Sequence, residues 1–281
     1  MTKKAKKEKQ KRDYFLFKDS PPFIFWLKES WNDLLFFALS GAVALVIYTA
    51  LDPLGPRYFP LTYVGQVIFP QLAYPYMKEY VPTWLSAVVS NLVPFAFIGL
   101  ISIFWIGDFW DCDSAIMGQS YAMSAATLFQ SLLKYLIGGF RPHFLEVCDP
   151  HPGIPEGYQN IYYDTSICRG NSKHIKEAMA SFPSGHATAA FAGFIFLALW
   201  INAKFKVFAD YQTRYWQTLL FTCPIAIACL IAASKTIDYW HHWSDIIAGA
   251  IIGTFFAFWG YRQVYRSVFD WRYNHEPLPR H

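Results

Sequence analysis

Residues 181–200 read SFPSGHATAAFAGFIFLALW: a polar Pro-Ser-Gly-His tetrapeptide runs directly into an almost wholly apolar stretch from Ala187 to Trp200. Taken over 185–203, the run approaches the roughly 20 residues that a helix needs to cross a bilayer. The start of such a helix carries backbone N–H groups without helical partners and the positive end of the helix dipole, and together these attract an anion. The stretch therefore predicts a membrane helix and, at its polar end, a place for a phosphate-sized anion.

The rest of the chain agrees with a membrane setting. Of its 281 residues 54% are apolar, 20% aromatic and only 16% charged. Soluble domains carry about 25% charged residues. Six hydrophobic runs are expected to span, at about 34–51, 85–106, 115–137, 185–203, 216–233 and 244–261. The predicted fold is thus all-α, an integral membrane helical bundle of six transmembrane helices in one domain covering 33–262. Residues 1–20 read as a basic, disordered cytosolic tail, 21–32 as an interfacial amphipathic segment and 263–281 as a cytosolic C-terminal tail.

Charge sets the orientation. The opening MTKKAKKEKQKR, the loop with Lys204, Lys206 and Arg214, and the tail with Arg262, Arg266 and Arg272 all fall on one side of a six-span chain. The positive-inside rule makes that side cytosolic, with both termini there. The acidic GDFWDCDS at 107–114 lends no support, although Asp and Glu count little in this rule. The basic N-terminus also suits anionic lipid or nucleic acid, but orientation alone accounts for it. No cleavable signal peptide is expected, so the first span serves as an uncleaved anchor. Residues 52–84, 138–184 and 234–243 then lie on the lumenal or extracellular side. Cys148 and Cys168 share that compartment, which permits a disulfide between them.

Three polar clusters fall on that same side. In KYLIGGFRPHF (134–144), Lys134 and Arg141 stand seven apart, and Gly138, Gly139 and Pro142 put Arg141 on an exit turn. Taken alone, two such cations could simply snorkel to headgroups. In the second cluster Ser184 is placed to cap the helix or offer its hydroxyl, and Gly185 lets the backbone approach a ligand; a capped helix with one interfacial histidine, His186, is the plainer reading. The third, SKTIDYWHHWSD (234–245), packs Ser234, Lys235, Asp238, His241, His242 and Asp245 between two apolar runs, where ionisable groups are costly and usually functional. His241 and Asp245, at i and i+4, are expected on one helical face, so that the carboxylate can orient the imidazole. His242 points elsewhere and is the weaker candidate. Three cations, two hydroxyls and two histidines suit phosphoryl transfer.

Lys134-x6-Arg141-Pro142, Pro183-Ser184-Gly185-His186 and Ser234-Lys235-x5-His241-x3-Asp245 together resemble the three ordered signatures of the type 2 phosphatidate phosphatase superfamily, the lipid phosphate phosphatases and their vanadium haloperoxidase cousins. The resemblance implies that Lys134, Arg141, Ser184, Gly185, Ser234 and Lys235 bind phosphate. It implies that His241 attacks phosphorus to give a phosphohistidine, that Asp245 orients His241, and that His186 serves as general acid. It implies a phosphorylated lipid as partner, such as phosphatidate, diacylglycerol pyrophosphate or lysophosphatidate, with no nucleic acid, no metal and no cofactor. One position departs: Lys235 stands where the family usually has Arg, and Lys offers a point charge in place of a planar fork. Rival readings are a catalytically weak phospholipid-binding homologue, a lipid phosphotransferase with the same histidine chemistry, and a transporter. The last would need ionisable groups near mid-membrane, whereas here they gather at the ends of the apolar runs.

Overall fold

The computed structural model describes residues 17, 19–51, 54–63, 67–152 and 161–279. The basic cytosolic tail expected at 1–20 lies, for residues 1–16 and 18, outside the described residues. The chain is mostly helical, with α1 Phe23–Ala50, α2 Thr83–Ile101 continued by a π-helical turn Ser102–Ile106, α3 Phe109–Leu136, and the short α4 Phe144–Cys148 and α5 Ser172–Ala178. Then follow α6 Gly185–Phe205, α7 Tyr215–Ile237 and α8 Trp243–Val264. Among the described residues there are also two small antiparallel pairs, β1 Phe59–Pro60 with β4 Tyr162–Tyr163 and β2 Thr62–Tyr63 with β3 Val67–Ile68.

Among the described residues five helices are long and apolar enough to cross a membrane: α1, α2 with its continuation, α6, α7 and α8. The remaining long helix, α3, has 28 residues, about 42 Å at 1.5 Å per residue. It buries Asp111, Asp113, Gln119, Gln130 and Lys134, which lowers its mean hydropathy and sets it apart from the other five. Residues 23–32 form the opening turns of α1, unbroken by Pro or Gly, and Trp26 Nε1 donates to Asp113 Oδ1 at 2.8 Å.

The bundle is built around α6. In its most apolar window 78% of residues are buried, against 6% for α1 at the periphery. Small residues on α6 (Ala187, Ala190, Ala192, Ala198) let neighbouring helices approach closely, the packing mode favoured where lipid supplies no hydrophobic drive. At Gly249 of α8 an added Cβ would lie 2.5 Å from the Ser184 carbonyl oxygen and 3.0 Å from Ala187 Cβ, so only glycine permits this crossing.

Alternating helix directions bring the C-terminal ends of α3 and α7 and the N-terminal ends of α6 and α8 together. Over that end lies a lid of loop, α4 and α5, with its own apolar cluster of Phe59, Leu72, Phe144, Leu145, Ile167, Ile175 and Ala178. The Cys148–Cys168 disulfide lies within it. At the opposite end Lys204 pairs with buried Asp111, which also accepts from Tyr265 Oη at 3.1 Å.

Candidate active site

Each site residue stands where a helix starts or stops. α3 ends at Leu136, and Gly138 and Gly139, with φ of 61° and 84°, turn the chain back through the left-handed region. This leaves Lys134 on the last turn, its Nζ 2.7 Å from the Ala180 carbonyl, and Arg141 on the turn beyond, its N–H donating to Ala178 O at 2.8 Å. The Arg141 guanidinium lies 4.4 Å from the centre of the Trp240 ring, a cation–π contact, and Glu177 Oε1 is 3.7 Å from its Nη1. Both Nε and Nη1 are buried without a hydrogen-bond partner among the described residues.

Ser184 caps α6, its Oγ accepting from the Ala187 N–H at 3.4 Å, and Gly185 opens the helix. The Ser184 N–H donates to the Asp245 carbonyl at 3.1 Å, joining the α6 start to the first turn of α8. His186 is buried, with Nε2 3.1 Å from Val81 O and its ring centre 6.4 Å from that of His241.

Between α7 and α8 the chain departs from the expected single helical face. Tyr239 adopts a left-handed φ of 58°, which ends α7, and α8 begins only at Trp243. His241 thus sits in the intervening turn, its N–H donating to Lys235 O at 3.1 Å. Asp245 still reaches it: Oδ2 lies 3.6 Å from His241 Nδ1. The same oxygen accepts from the His242 N–H at 3.0 Å and lies 3.6 Å from His242 Nδ1, so both histidines face it. Burial holds the His241 imidazole well below the ordinary histidine range, whereas the Asp245 hydrogen bond raises that of His242. At neutral pH His241 is therefore an uncharged base with Nδ1 turned to a carboxylate and Nε2 available.

A cavity of about 430 Å³ joins these elements, lined by Lys134, Arg141, Gly185, His186 and His241 at its polar end. Gly41, Ala44 and Leu45 of α1 and Ala87 of α2 line its other walls. Ser184, Ser234 and Lys235 are not on that lining. Ser234 Oγ donates to Ile231 O at 2.7 Å, and the fully buried Lys235 Nζ lies 2.7 Å from Asp238 Oδ2 and 2.9 Å from Val81 O.

Two residues enter the site that the sequence reading passed over. Ser181 Oγ donates to Asp245 Oδ2 at 2.6 Å and lies 3.5 Å from His241 Nδ1. It stands two residues before Pro183 in the quoted stretch, yet no spacing rule marks it. Glu79 lies in the segment before α2, 3.6 Å from both His186 Nε2 and Lys235 Nζ, and no local pattern surrounds it.

The family model described as "PAP2 superfamily" matches residues 115–269, over half of the chain. Among curated proteins the chain is 34% identical over 210 residues to "Probable lipid phosphate phosphatase 4" of Arabidopsis thaliana, covering 74% of this chain and 66% of that one. It is 33% identical over 232 residues to "Lipid phosphate phosphatase 1" of the same plant, covering 81% and 67%. It is 29% identical over 167 residues to "Diacylglycerol pyrophosphate phosphatase 1" of Saccharomyces cerevisiae, covering 59% and 55%. The chain thus spans about two thirds of the length of the plant relatives. No solved structure shows significant similarity to it. The three polar clusters lie inside the matched region, and by that match over more than half of its length the chain belongs to the PAP2 superfamily.

Proposed function

We propose that the protein is a lipid phosphate phosphatase that hydrolyses a phosphomonoester or pyrophosphate of lipids such as phosphatidate, diacylglycerol pyrophosphate or lysophosphatidate, through a phosphohistidine. The observation that carries this reading is the polar end of the cavity. Two histidines face it beside Lys134 and an Arg141 whose buried Nε and Nη1 have no hydrogen-bond partner among the described residues. Buried donors without acceptors are costly, and a phosphate group supplies the acceptors.

The steps follow from the placement of the two rings. His241 Nε2 bonds to phosphorus while the bond from phosphorus to the leaving oxygen breaks, and His186 gives that oxygen a proton. Asp245, held by Ser181, stabilises the positive charge that grows on His241. Water then attacks phosphorus, its proton passes to His186, and phosphate leaves with His241 restored. Lys134, Arg141 and the helix start at Ser184–Gly185 hold the phosphate oxygens, while Ser234 and Lys235 stand behind the lining, held by Ile231 O, Asp238 and Val81 O. The apolar wall of Gly41, Ala44 and Leu45 suits an acyl chain, which favours a lipid over a soluble phosphate.

We read α1, α2, α3, α6, α7 and α8 as six spans with both termini cytosolic. The basic residues Lys204, Lys206, Arg262 and Arg266 stand at the end of the bundle opposite the site, which supports a lumenal or extracellular active site in a multi-pass membrane protein. The test is phosphate release from mixed micelles of phosphatidate by the detergent-purified protein in excess EDTA, with His241→Ala alongside. Release that persists in EDTA and vanishes in the variant is the expected result; no release from phosphatidate or diacylglycerol pyrophosphate overturns the reading.

A further inference from the structure

Glu79 belongs to none of the three clusters, yet its carboxylate reaches the site. Its position is set by α2: Oε2 accepts the Thr83 N–H at 3.1 Å and lies 3.5 Å from Thr83 Oγ1, at the positive end of that helix. With Oε2 tied down, Oε1 is aimed into the bundle. It is buried without a hydrogen-bond partner among the described residues and lies 3.6 Å from His186 Nε2 and 3.6 Å from Lys235 Nζ. The Val81 carbonyl two residues on accepts from the same two side chains, His186 Nε2 at 3.1 Å and Lys235 Nζ at 2.9 Å.

Lys235 already has a carboxylate partner, Asp238 Oδ2 at 2.7 Å, so Glu79 adds a second negative charge to a single ammonium. Burying that extra charge is unfavourable unless another cation shares it. Arg141 feels the Glu79 charge from farther off, and beside Lys235 the group at 3.6 Å from Oε1 that can become a cation is His186. Arg141, Lys134 and Lys235 are the cations whose fields reach His186, and His241 faces it across the cavity. Protonation of His186 among three cations therefore needs a nearby negative charge.

We propose that Glu79 is a positioning residue for His186: with Val81 O it holds the proton on Nε2 and stabilises the imidazolium, leaving Nδ1 to serve the reacting oxygen. This rests on the phosphatase reading above. In the first half-reaction the Nδ1–H bond breaks, its electron pair stays on Nδ1, and the proton goes to the leaving oxygen as that oxygen parts from phosphorus. In the second half water returns a proton to Nδ1 while its oxygen bonds to phosphorus. Glu79 touches neither substrate nor phosphorus.

The test compares wild type, His241→Ala and Glu79→Gln as full chains in detergent, with phosphate release from phosphatidate micelles measured over a pH series. Gln keeps the shape and an acceptor for Thr83, so only the charge is lost. The expected result is a kcat lower by about 10- to 100-fold, KM within about twofold, and an alkaline limb of the kcat profile displaced by about one unit toward acid. Without Glu79 the imidazolium is less stable and loses its proton at lower pH. An unchanged kcat and limb overturns the inference. So does a lower kcat with an unmoved limb, which would reduce Glu79 to a cap on α2. If Glu79→Gln does not purify as a monodisperse species, Glu79→Asp is expected to move the limb the same way by less, and an unmoved limb there also overturns it. An inert wild type overturns the phosphatase reading and this inference together; an active wild type with an unaffected Glu79→Gln overturns this inference alone.

Discussion

Asp245 and Ser181 form one device acting through a single oxygen, and a double-mutant cycle tests this. As His241 Nε2 bonds to phosphorus, positive charge grows on a ring whose Nδ1 lies 3.6 Å from Asp245 Oδ2. At an effective dielectric of about 20, a unit charge pair at that distance is worth about 4 to 5 kcal/mol. Asp245→Asn removes the charge, so we expect kcat to fall by about three decades, at about 1.4 kcal/mol per decade. Ser181→Ala removes one hydrogen bond to a charged acceptor, worth about 1.5 to 3 kcal/mol, so a fall of about 10- to 100-fold follows if that bond serves chiefly to aim Oδ2. Because the hydroxyl acts only through the carboxylate, the double variant should be no slower than Asp245→Asn. The assay is steady-state phosphate release from phosphatidate micelles for all four proteins, with melting in detergent as a control for folding. If the two losses multiply to about four or five decades, Ser181 acts independently of Asp245 and the reasoning is refuted.

Other expectations follow from the same structure. The Asp245 hydrogen bond raises His242 above its ordinary value of 6.5, and a raised folded-state value gives stability that is full below about pH 6.5 and lost as pH rises through the folded value. The melting-point difference between wild type and His242→Gln should therefore be larger at about pH 6 than at about pH 9, and an equal difference at both would contradict this. The Cys148–Cys168 disulfide closes a separation of 20 residues in the lid, worth about 3 kcal/mol on loop-entropy grounds. Cys148→Ser with Cys168→Ser should lower the melting temperature, and reductant should then have no further effect. Gly249→Ala forces a methyl against the Ser184 carbonyl and Ala187, an overpacking cost of about 1 to 3 kcal/mol. It should also weaken activity by parting the Ser184 N–H from the Asp245 carbonyl; a variant that melts and turns over like wild type would show that the crossing relaxes freely.

Much of this protein is written along the chain. Membrane insertion depends on runs of apolar residues, a one-dimensional property, and the six runs read from the sequence each fall on a long helix, five of them apolar enough to cross a membrane. The sixth long helix shows why hydropathy has a limit: α3 turns Asp111, Asp113, Gln119, Gln130 and Lys134 inward, and a helix that lines a polar interior loses part of its apolar signal. The three polar clusters, and the anion chemistry they suggest, were equally legible, because each is short and sits beside a span end.

Contacts between distant segments were not legible. Ser181 meets Asp245 across 64 residues and Glu79 meets His186 across 107, distances set by how α2, α6 and α8 cross, which no local period encodes. His241 and Asp245 were expected to share a helix face; a left-handed Tyr239 instead ends α7, and the cap of α8, in which Asp245 Oδ2 accepts the His242 N–H, brings the two back together. Lys235 is the sharpest case. From sequence it is a phosphate ligand, but in the fold its ammonium lies against Asp238, Val81 O and Glu79. Residue type determines which charge can be offered, while the direction in which it is offered depends on which acceptors the packed neighbours bring within hydrogen-bond reach.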